Sequence, residues 1–218
     1  MNPDIHPIVL LIIAANVLVS YKGFNDQYFF NKFKFQVGAI KNGEKIRLCT
    51  SGFLHVDIQH LLFNMLTLFF FADSVIYFLG VWEFLLIYFG SLLFGGLFSF
   101  NYHKRELYYS AVGASGAVMG IIYASILLYP EMSLRFFFLP FLDIPGYVFG
   151  VGYLLYSIYG MKKQIGNTGH SAHIGGAIAG YVITILLFPQ VLQYNLKLVV
   201  LLAVPILLLF AFEKQLRR

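Results

Sequence analysis

The sequence predicts an all-α protein that crosses a membrane several times. Its 218 residues are 59% hydrophobic and only 11% charged, with a mean hydropathy of +0.76. Soluble domains carry about 25% charged residues, so this composition excludes an ordinary soluble protein. The apolar runs approach the roughly 20 residues that a helix needs to cross about 30 Å of hydrocarbon. They are continuous rather than alternating, which favours helices over the strands of a membrane barrel.

Seven apolar segments are predicted to be membrane helices. They lie at about 6–21, 58–80, 83–102, 114–130, 146–161, 172–189 and 196–212. We expect a single membrane domain over residues 1–218, with a core at about 6–190 and an additional C-terminal helix at about 196–212. The connection between the fourth and fifth segments is apolar but contains three prolines, which end or kink helices. We expect it to be a partly buried re-entrant or interfacial segment, or an extended beginning of the fifth helix.

Two polar side chains lie at the entrances of predicted membrane helices. Ser115, in the motif Gly113-Ala114-Ser115-Gly116, opens the fourth segment, and His173 opens the apolar run of the sixth. A serine hydroxyl is a weak nucleophile unless a base lies within hydrogen-bond reach. His173 is the best candidate base, and no acidic residue accompanies it in its segment, so the pattern predicts a Ser–His dyad. The alternative is that Ser115 is a small residue suited to a tight helix start.

Pairs of glycines follow both of these residues. Gly116 and Gly120 lie behind Ser115, and Gly176 and Gly180 lie behind His173. A spacing of four places each pair on one helix face, where the missing side chains let two backbones approach closely. If the two faces pack together, the serine and the histidine meet at the same end of the helix pair. The alternative is generic packing of small residues without catalytic meaning.

His60 and Asn64 lie four residues apart in the second segment, on one helix face. Strongly polar groups inside membrane helices are costly and are functional candidates by default. Both side chains can donate hydrogen bonds, as an oxyanion that develops in acyl transfer requires. The alternative is a structural pair that holds two helices together. Zinc proteases need two histidines and a glutamate on one helix face, so no metal site is predicted here.

The order of these motifs resembles that of the rhomboid family of intramembrane serine proteases. The similarity covers nearly the whole chain and is carried by Arg47, Phe53-Leu54-His55, His60 with Asn64, Gly113-Ala114-Ser115-Gly116, and Ala172-His173 followed by Gly176 and Gly180. Each motif alone has modest specificity, but their order along the predicted helices is highly specific.

The resemblance implies a six-helix core with one further helix after it. It implies that Ser115 is the nucleophile and His173 the general base, with the oxyanion bound by His60, Asn64 and the backbone amide of Ser115. Supporting roles would fall to Gly113, Gly116, His55 and Arg47; the last two would help to shape the first loop and a water-accessible cavity. In one departure from the family pattern, Met119 occupies the position four residues after the serine, where an aromatic residue commonly packs on the histidine.

The sequence therefore predicts an intramembrane serine protease that cleaves transmembrane protein substrates in or near the lipid bilayer, without a cofactor or metal. The alternative is a non-catalytic, rhomboid-like protein that binds membrane proteins. The net charge of +5 comes from loops that flank the predicted helices and requires no nucleic-acid partner. The resemblance to bacterial members implies a multi-pass protein of the bacterial inner or plasma membrane.

Overall fold

The described chain is mainly helical. The computed structural model describes residues 5–136, 139–163, 165 and 169–211. Their helices are, in chain order, α1 (Pro7–Asn25), α2 (Gln27–Phe33), α3 (Val37–Lys41), α4 (Arg47–Thr50), α5 (Ile58–Leu79), α6 (Val81–Tyr102), α7 (Ser115–Leu128), α8 (Gly146–Lys163), α9 (His170–Leu187), α10 (Val191–Tyr194) and α11 (Leu196–Ala211), with a 3-10 turn at Ser51–Phe53. The strands are β1 (Phe35–Gln36), β2 (Ser110–Ala111), β3 (Ser133–Phe136) and β4 (Leu139–Pro145), paired antiparallel as β1 with β2 and β3 with β4.

Each predicted membrane segment corresponds to one of the helices α1, α5, α6, α7, α8, α9 and α11. By length and composition, α1, α5, α6 and α9 can cross a membrane, and α7 and α11 are shorter apolar helices. The protein is therefore an all-α, polytopic membrane protein, which confirms the predicted class. The count of six core helices plus one stays a prediction. Of the predicted domain, residues 1–4, 137–138, 164, 166–168 and 212–218 lie outside the described residues, including the predicted end of the last helix.

The polar stretch between α1 and α5 is folded back onto the rest of the molecule. It contains α2, β1, α3 and α4, and β1 pairs with β2 through Phe35 with Ala111 and Gln36 with Ser110. Phe35 is buried, together with Val37. Because β2 lies a few residues before α7, this pairing connects the first loop to the segment that carries Ser115.

The connection between α7 and α8 is a β-hairpin, which the sequence analysis did not predict. Arg135 on β3 donates two hydrogen bonds, of 2.8 and 2.9 Å, to the carboxylate of Asp143 on β4. Both side chains are exposed, as is Phe141. The described part is thus not an extension of α8, which begins at Gly146; a partly buried or interfacial position for it stays a prediction. Proline cannot continue a helix but is tolerated in edge strands, and both strands of a two-stranded sheet are edges. Phe137 and Phe138 lie outside the described residues.

α7 lies at the centre of the helix assembly. Every one of its residues after Ser115 is buried, and it packs against α5, α6, α8 and α9. A helix that is apolar on all sides is expected to be enclosed by other elements. Its 14 residues extend about 21 Å, which is less than the roughly 30 Å of membrane hydrocarbon.

Glycines set the contact between α7 and α9. A Cβ atom at Gly176 would overlap the carbonyl oxygen of Gly116, and one at Gly180 would overlap the carbonyl oxygen of Gly120. The two small-residue faces thus pack directly against each other, as the sequence predicts, and the two backbones are in contact. This packing brings the first turns of both helices together.

Replacing Gly176 with alanine is expected to destabilise the folded protein. Overpacking a core typically costs about 1–3 kcal/mol, and the cost here should lie at the upper end because the opposing atom belongs to the backbone. Thermal unfolding in detergent should show a midpoint that is lower by several degrees. The matched control is Gly152→Ala on α8, where no described atom outside its own turn of the helix lies within 4 Å of the added Cβ. Equal midpoints for Gly176→Ala and the unchanged protein would contradict the backbone contact.

Candidate active site

Ser115 and His173 meet at the first turns of α7 and α9. The Ser115 hydroxyl lies 2.6 Å from Nε2 of His173, within hydrogen-bond distance. His173 is only 5% exposed, whereas Ser115 is partly exposed. A hydroxyl and an imidazole in this arrangement can exchange a proton, because the ring nitrogen accepts it when it carries no hydrogen of its own.

Gly113 shapes the turn that leads into α7. Its φ of 127° is a backbone conformation that residues with a side chain rarely adopt. A Cβ atom there would also lie 2.7 and 2.8 Å from two atoms of the His60 ring. Its N–H donates to the carbonyl of Ser51 at 3.0 Å. The turn therefore requires glycine both for its backbone conformation and for the space beside His60. The hydrogen bond to Ser51 joins the start of α7 to the 3-10 turn of the first loop.

His55 supports the same turn through the backbone of Ala114. The N–H of Ala114 donates to Nε2 of His55 at 3.4 Å, and Nδ1 of His55 lies 2.8 Å from the hydroxyl of Ser20. Since Ser20 donates its hydrogen to the carbonyl of Phe53 at 2.9 Å, Nδ1–H of His55 is the donor to Ser20. Burial, and then the neighbouring His60, lower the pKa of His55 to about 3. His55 is therefore neutral at physiological pH, in the tautomer that accepts from the backbone next to Ser115.

Arg47 organises the first loop at a distance from the serine. Its side chain is 8% exposed, and its guanidinium donates to the backbone carbonyls of Asn31 and Lys34 at 2.8 and 2.9 Å. It also pairs with the carboxylate of Glu44 at 2.7 Å. These bonds connect α4 to the end of α2, so Arg47 holds parts of the first loop together.

His60 and Asn64 lie in the first two turns of α5 and face the same cavity as the serine. Asn64 is 6% exposed, and its amide nitrogen donates to the carbonyl of His60 at 3.0 Å. Nδ1 of His60 is buried and has no hydrogen-bond partner among the described residues. An amide nitrogen has two hydrogens, so Asn64 retains a donor beyond the bond to its own helix. Both residues thus keep hydrogen-bonding capacity.

The cavity has a volume of about 980 Å³ and contains both polar and apolar walls. Ser115, His173, His60 and Asn64 all line it. An apolar wall is formed by Phe63, Val118, Met119, Ile122 and Phe149. The cavity is large enough to hold several residues of a peptide together with water.

Tyr153 on α8 lies at the site although the sequence did not indicate it as a candidate. Its hydroxyl lies 2.9 Å from Nδ1 of His173, on the opposite side of the imidazole from Ser115. The two ring centroids are 5.8 Å apart, with an angle of 37° between the ring planes. α8 contains four tyrosines, and no spacing rule distinguishes the one that faces His173. Only the packing of α8 against α9 could identify it.

The fold and the site define a class of protein: a polytopic helical membrane protein with a serine and a histidine hydrogen-bonded at a cavity between its helices. The chain matches the family described as the Rhomboid domain over residues 42–190. This match covers more than half of the chain and includes all the site residues described above except Ser20, Asn31 and Lys34. The chain belongs to the rhomboid family.

Curated relatives come from mitochondria and from bacteria. RHOMBOID-like protein 12, mitochondrial, of Arabidopsis thaliana is 31% identical over 183 residues, which cover 77% of this chain and 54% of the relative. Rhomboid protease GluP of Bacillus subtilis (strain 168) is 35% identical over 144 residues, 65% of this chain and 26% of the relative. Putative rhomboid protease YdcA of the same organism is 42% identical over 83 residues, which cover 38% of this chain and 41% of the relative.

The chain thus spans about half or less of the length of these relatives. Their mixed origin gives no support to the expected bacterial inner or plasma membrane in particular. What holds for this chain is that it is an integral, multi-pass membrane protein of the rhomboid family.

Proposed function

We propose that this chain is an intramembrane serine protease that cleaves peptide bonds of transmembrane protein substrates. The observation that carries the proposal is the 2.6 Å contact between the Ser115 hydroxyl and Nε2 of His173, located at a cavity inside a membrane protein. Relatives named as proteases, GluP and YdcA, support the same activity.

In the first step, Nε2 of His173 takes the hydroxyl proton of Ser115 as Oγ bonds to the carbonyl carbon of the substrate. The carbonyl electron pair moves to oxygen and forms a tetrahedral oxyanion. When this intermediate collapses, the C–N bond breaks and His173 transfers its proton to the leaving amine. The remaining ester on Ser115 is then hydrolysed by water, with His173 acting again as base and then as acid.

The oxyanion would be bound by donors that already surround Ser115. Ser115 is the first residue of α7, and the first N–H groups of a helix have no intrahelical acceptor, so its backbone amide is available. His60 and Asn64 supply side-chain donors from α5. Donors placed in advance are effective because they need no reorientation when negative charge develops. Gly113, Gly116 and His55 would hold the serine in place, and Arg47 would hold the first loop.

The substrates would be membrane helices with small or helix-breaking residues near the scissile bond. A helical backbone uses its carbonyl groups in internal hydrogen bonds, so the segment must unwind before Ser115 can reach a carbonyl carbon. The cavity beside Ser115 has room for an unwound segment. No cofactor, metal or nucleic acid has a part in this chemistry.

We further propose that residues 1–218 form one domain, in which α11 is an addition to the rhomboid core. α11 lies beyond the family match and packs against α8. A Cβ atom at Gly150 on α8 would lie 3.2 Å from the side chain of Leu202 on α11, which is closer than ordinary van der Waals contact, so the two helices pack tightly there. α11 would therefore support α8, the helix that carries Tyr153, from the outside.

Covalent labelling provides the test. A fluorophosphonate probe incubated with the full-length protein in detergent should modify Ser115, and peptide mass spectrometry should locate the phosphonyl group on that residue. Reconstituted protein should also cleave a transmembrane reporter. Modification elsewhere, or none under conditions in which an active rhomboid protease reacts, would overturn the proposal. If the protein then bound membrane proteins without cleaving them, the non-catalytic alternative would replace it.

A further inference from the structure

The second ring nitrogen of His173 needs a partner that the proposed dyad does not provide. Nε2 faces Ser115 and Nδ1 faces the hydroxyl of Tyr153, at 2.6 and 2.9 Å. These two residues are the only hydrogen-bond partners of the imidazole in the part of the chain that the structure describes. The position that an acid occupies in a catalytic triad is therefore taken by a tyrosine from α8.

The direction of this hydrogen bond decides which tautomer His173 adopts. To take the proton of Ser115, Nε2 must carry no hydrogen, so Nδ1 must carry one. Nδ1–H then donates to the phenol oxygen of Tyr153. In the other tautomer Nε2–H faces the serine, and the imidazole cannot act as a base toward it. A phenol accepts as well as donates, so Tyr153 can satisfy Nδ1–H both before and after Nε2 is protonated.

The ring of Tyr153 also restrains the imidazole. Its centroid is 5.8 Å from that of His173 and 5.6 Å from that of Phe149, with which it is stacked. His170, on α9 itself, faces the same imidazole edge to face at 6.3 Å. Met119 lines the cavity one turn after the serine. Its side chain is flexible and has no hydrogen-bond donor. Of these neighbours, Tyr153 is the one that both packs beside the imidazole and forms a hydrogen bond with it.

We propose that Tyr153 is a positioning residue of the reaction: its hydroxyl holds His173 in the tautomer and orientation in which Nε2 accepts the proton of Ser115. This inference rests on the proposed protease function and adds a third residue, from a third helix, to the dyad. It follows that the base is fully oriented only while α8 is seated against α9.

The experiment compares Tyr153→Phe with the unchanged full-length protein. Phenylalanine keeps the ring and removes only the hydroxyl, which leaves Nδ1–H buried without an acceptor. A buried donor that loses its partner is expected to lower kcat for a transmembrane reporter by about ten- to a hundredfold. KM should change by less than about threefold, because the hydroxyl is hydrogen-bonded to the base. The rate of fluorophosphonate labelling, which does not depend on recognition of the reporter, should fall in parallel with kcat.

Tyr159→Phe is the matched control, since Tyr159 lies on the same helix and is 55% exposed. It should keep the kcat, KM and labelling rate of the unchanged protein. Thermal unfolding of each variant in detergent provides the second measurement. Tyr153→Phe should unfold within a few degrees of the unchanged protein.

The outcomes separate this inference from the function on which it rests. If Ser115 is labelled in the unchanged protein and Tyr153→Phe keeps its kcat and labelling rate, the positioning role is wrong and the protease function stands. A rise in KM alone, or a loss of activity matched by a loss of folded protein, would assign Tyr153 a structural role and would equally overturn the inference. If the unchanged protein is neither labelled nor active, the proposed function itself fails.

Discussion

Alanine at either Ser115 or His173 is expected to lower kcat for a transmembrane reporter by at least about 10³-fold. Without the hydroxyl no ester can form, and without the imidazole no other base among the described residues is hydrogen-bonded to the serine to take its proton. Substitutions of catalytic residues that act as a unit have non-additive effects on kcat: the loss of one member lowers kcat nearly as much as the loss of all of them. The double variant Ser115→Ala/His173→Ala should therefore be no less active than either single variant.

The measurement is the initial rate of cleavage in proteoliposomes, together with thermal unfolding in detergent. His6→Asn serves as the matched histidine control, because His6 caps α1 far from the site in sequence and asparagine can keep the cap. It should cleave at the unchanged rate. A properly folded Ser115→Ala or His173→Ala variant that retained more than about a tenth of the activity would show that the dyad is not the catalytic pair.

Removal of an oxyanion donor should have the next largest effect. His60→Ala and Asn64→Ala are each expected to lower kcat by roughly 10²-fold or more, the range measured when one preorganised donor is removed. KM should change little, because these donors bind the charge that develops in the transition state more strongly than the carbonyl of the bound substrate. Labelling by a fluorophosphonate should slow as well, since its phosphoryl oxygen occupies the same position.

Gln59→Ala is the control for these two variants. Gln59 precedes His60 on α5 but is exposed, so its removal should leave kcat and KM unchanged. An increase in KM with kcat preserved would assign His60 and Asn64 to substrate binding. Unchanged kinetics in both variants would show that His60 and Asn64 are structural contacts between helices, which is the alternative that the sequence allowed.

The long helices could be predicted from the sequence, because each depends on its own composition, whereas the short helices α2, α3, α4 and α10 were not predicted. The segment predicted at 58–80 is α5 at Ile58–Leu79, and the segment predicted at 83–102 is α6 at Val81–Tyr102. A run of apolar residues in lipid has few alternatives to a helix, since its backbone must bond within the segment. The contact between Gly116 and Gly176 was predictable for a similar reason: small residues at regular spacing mark a face that admits another backbone.

The β-hairpin between α7 and α8 could not be predicted from the same rules. Its sequence is apolar and rich in proline, which excludes a helix but does not indicate a partner strand. Arg135 pairs with Asp143 across the hairpin because the register of β3 and β4 places them opposite each other. The sequence shows the two charged residues but not the register of the strands. The fold of the first loop was equally hidden, because Arg47 bonds to backbone carbonyls, and every residue offers one.

The sequence by itself determined the class of the protein, the positions of its long helices and the residues Ser115, His173, His60 and Asn64 as candidates. These properties are local, since they follow from hydropathy, from helix periodicity and from the cost of a polar group in an apolar segment. The tertiary structure decided what surrounds each candidate. It placed His173 between Ser115 and Tyr153, and it placed His55 against the backbone before the serine. Such contacts join distant parts of the chain, and only the packing of helices determines which of several equivalent side chains faces the site.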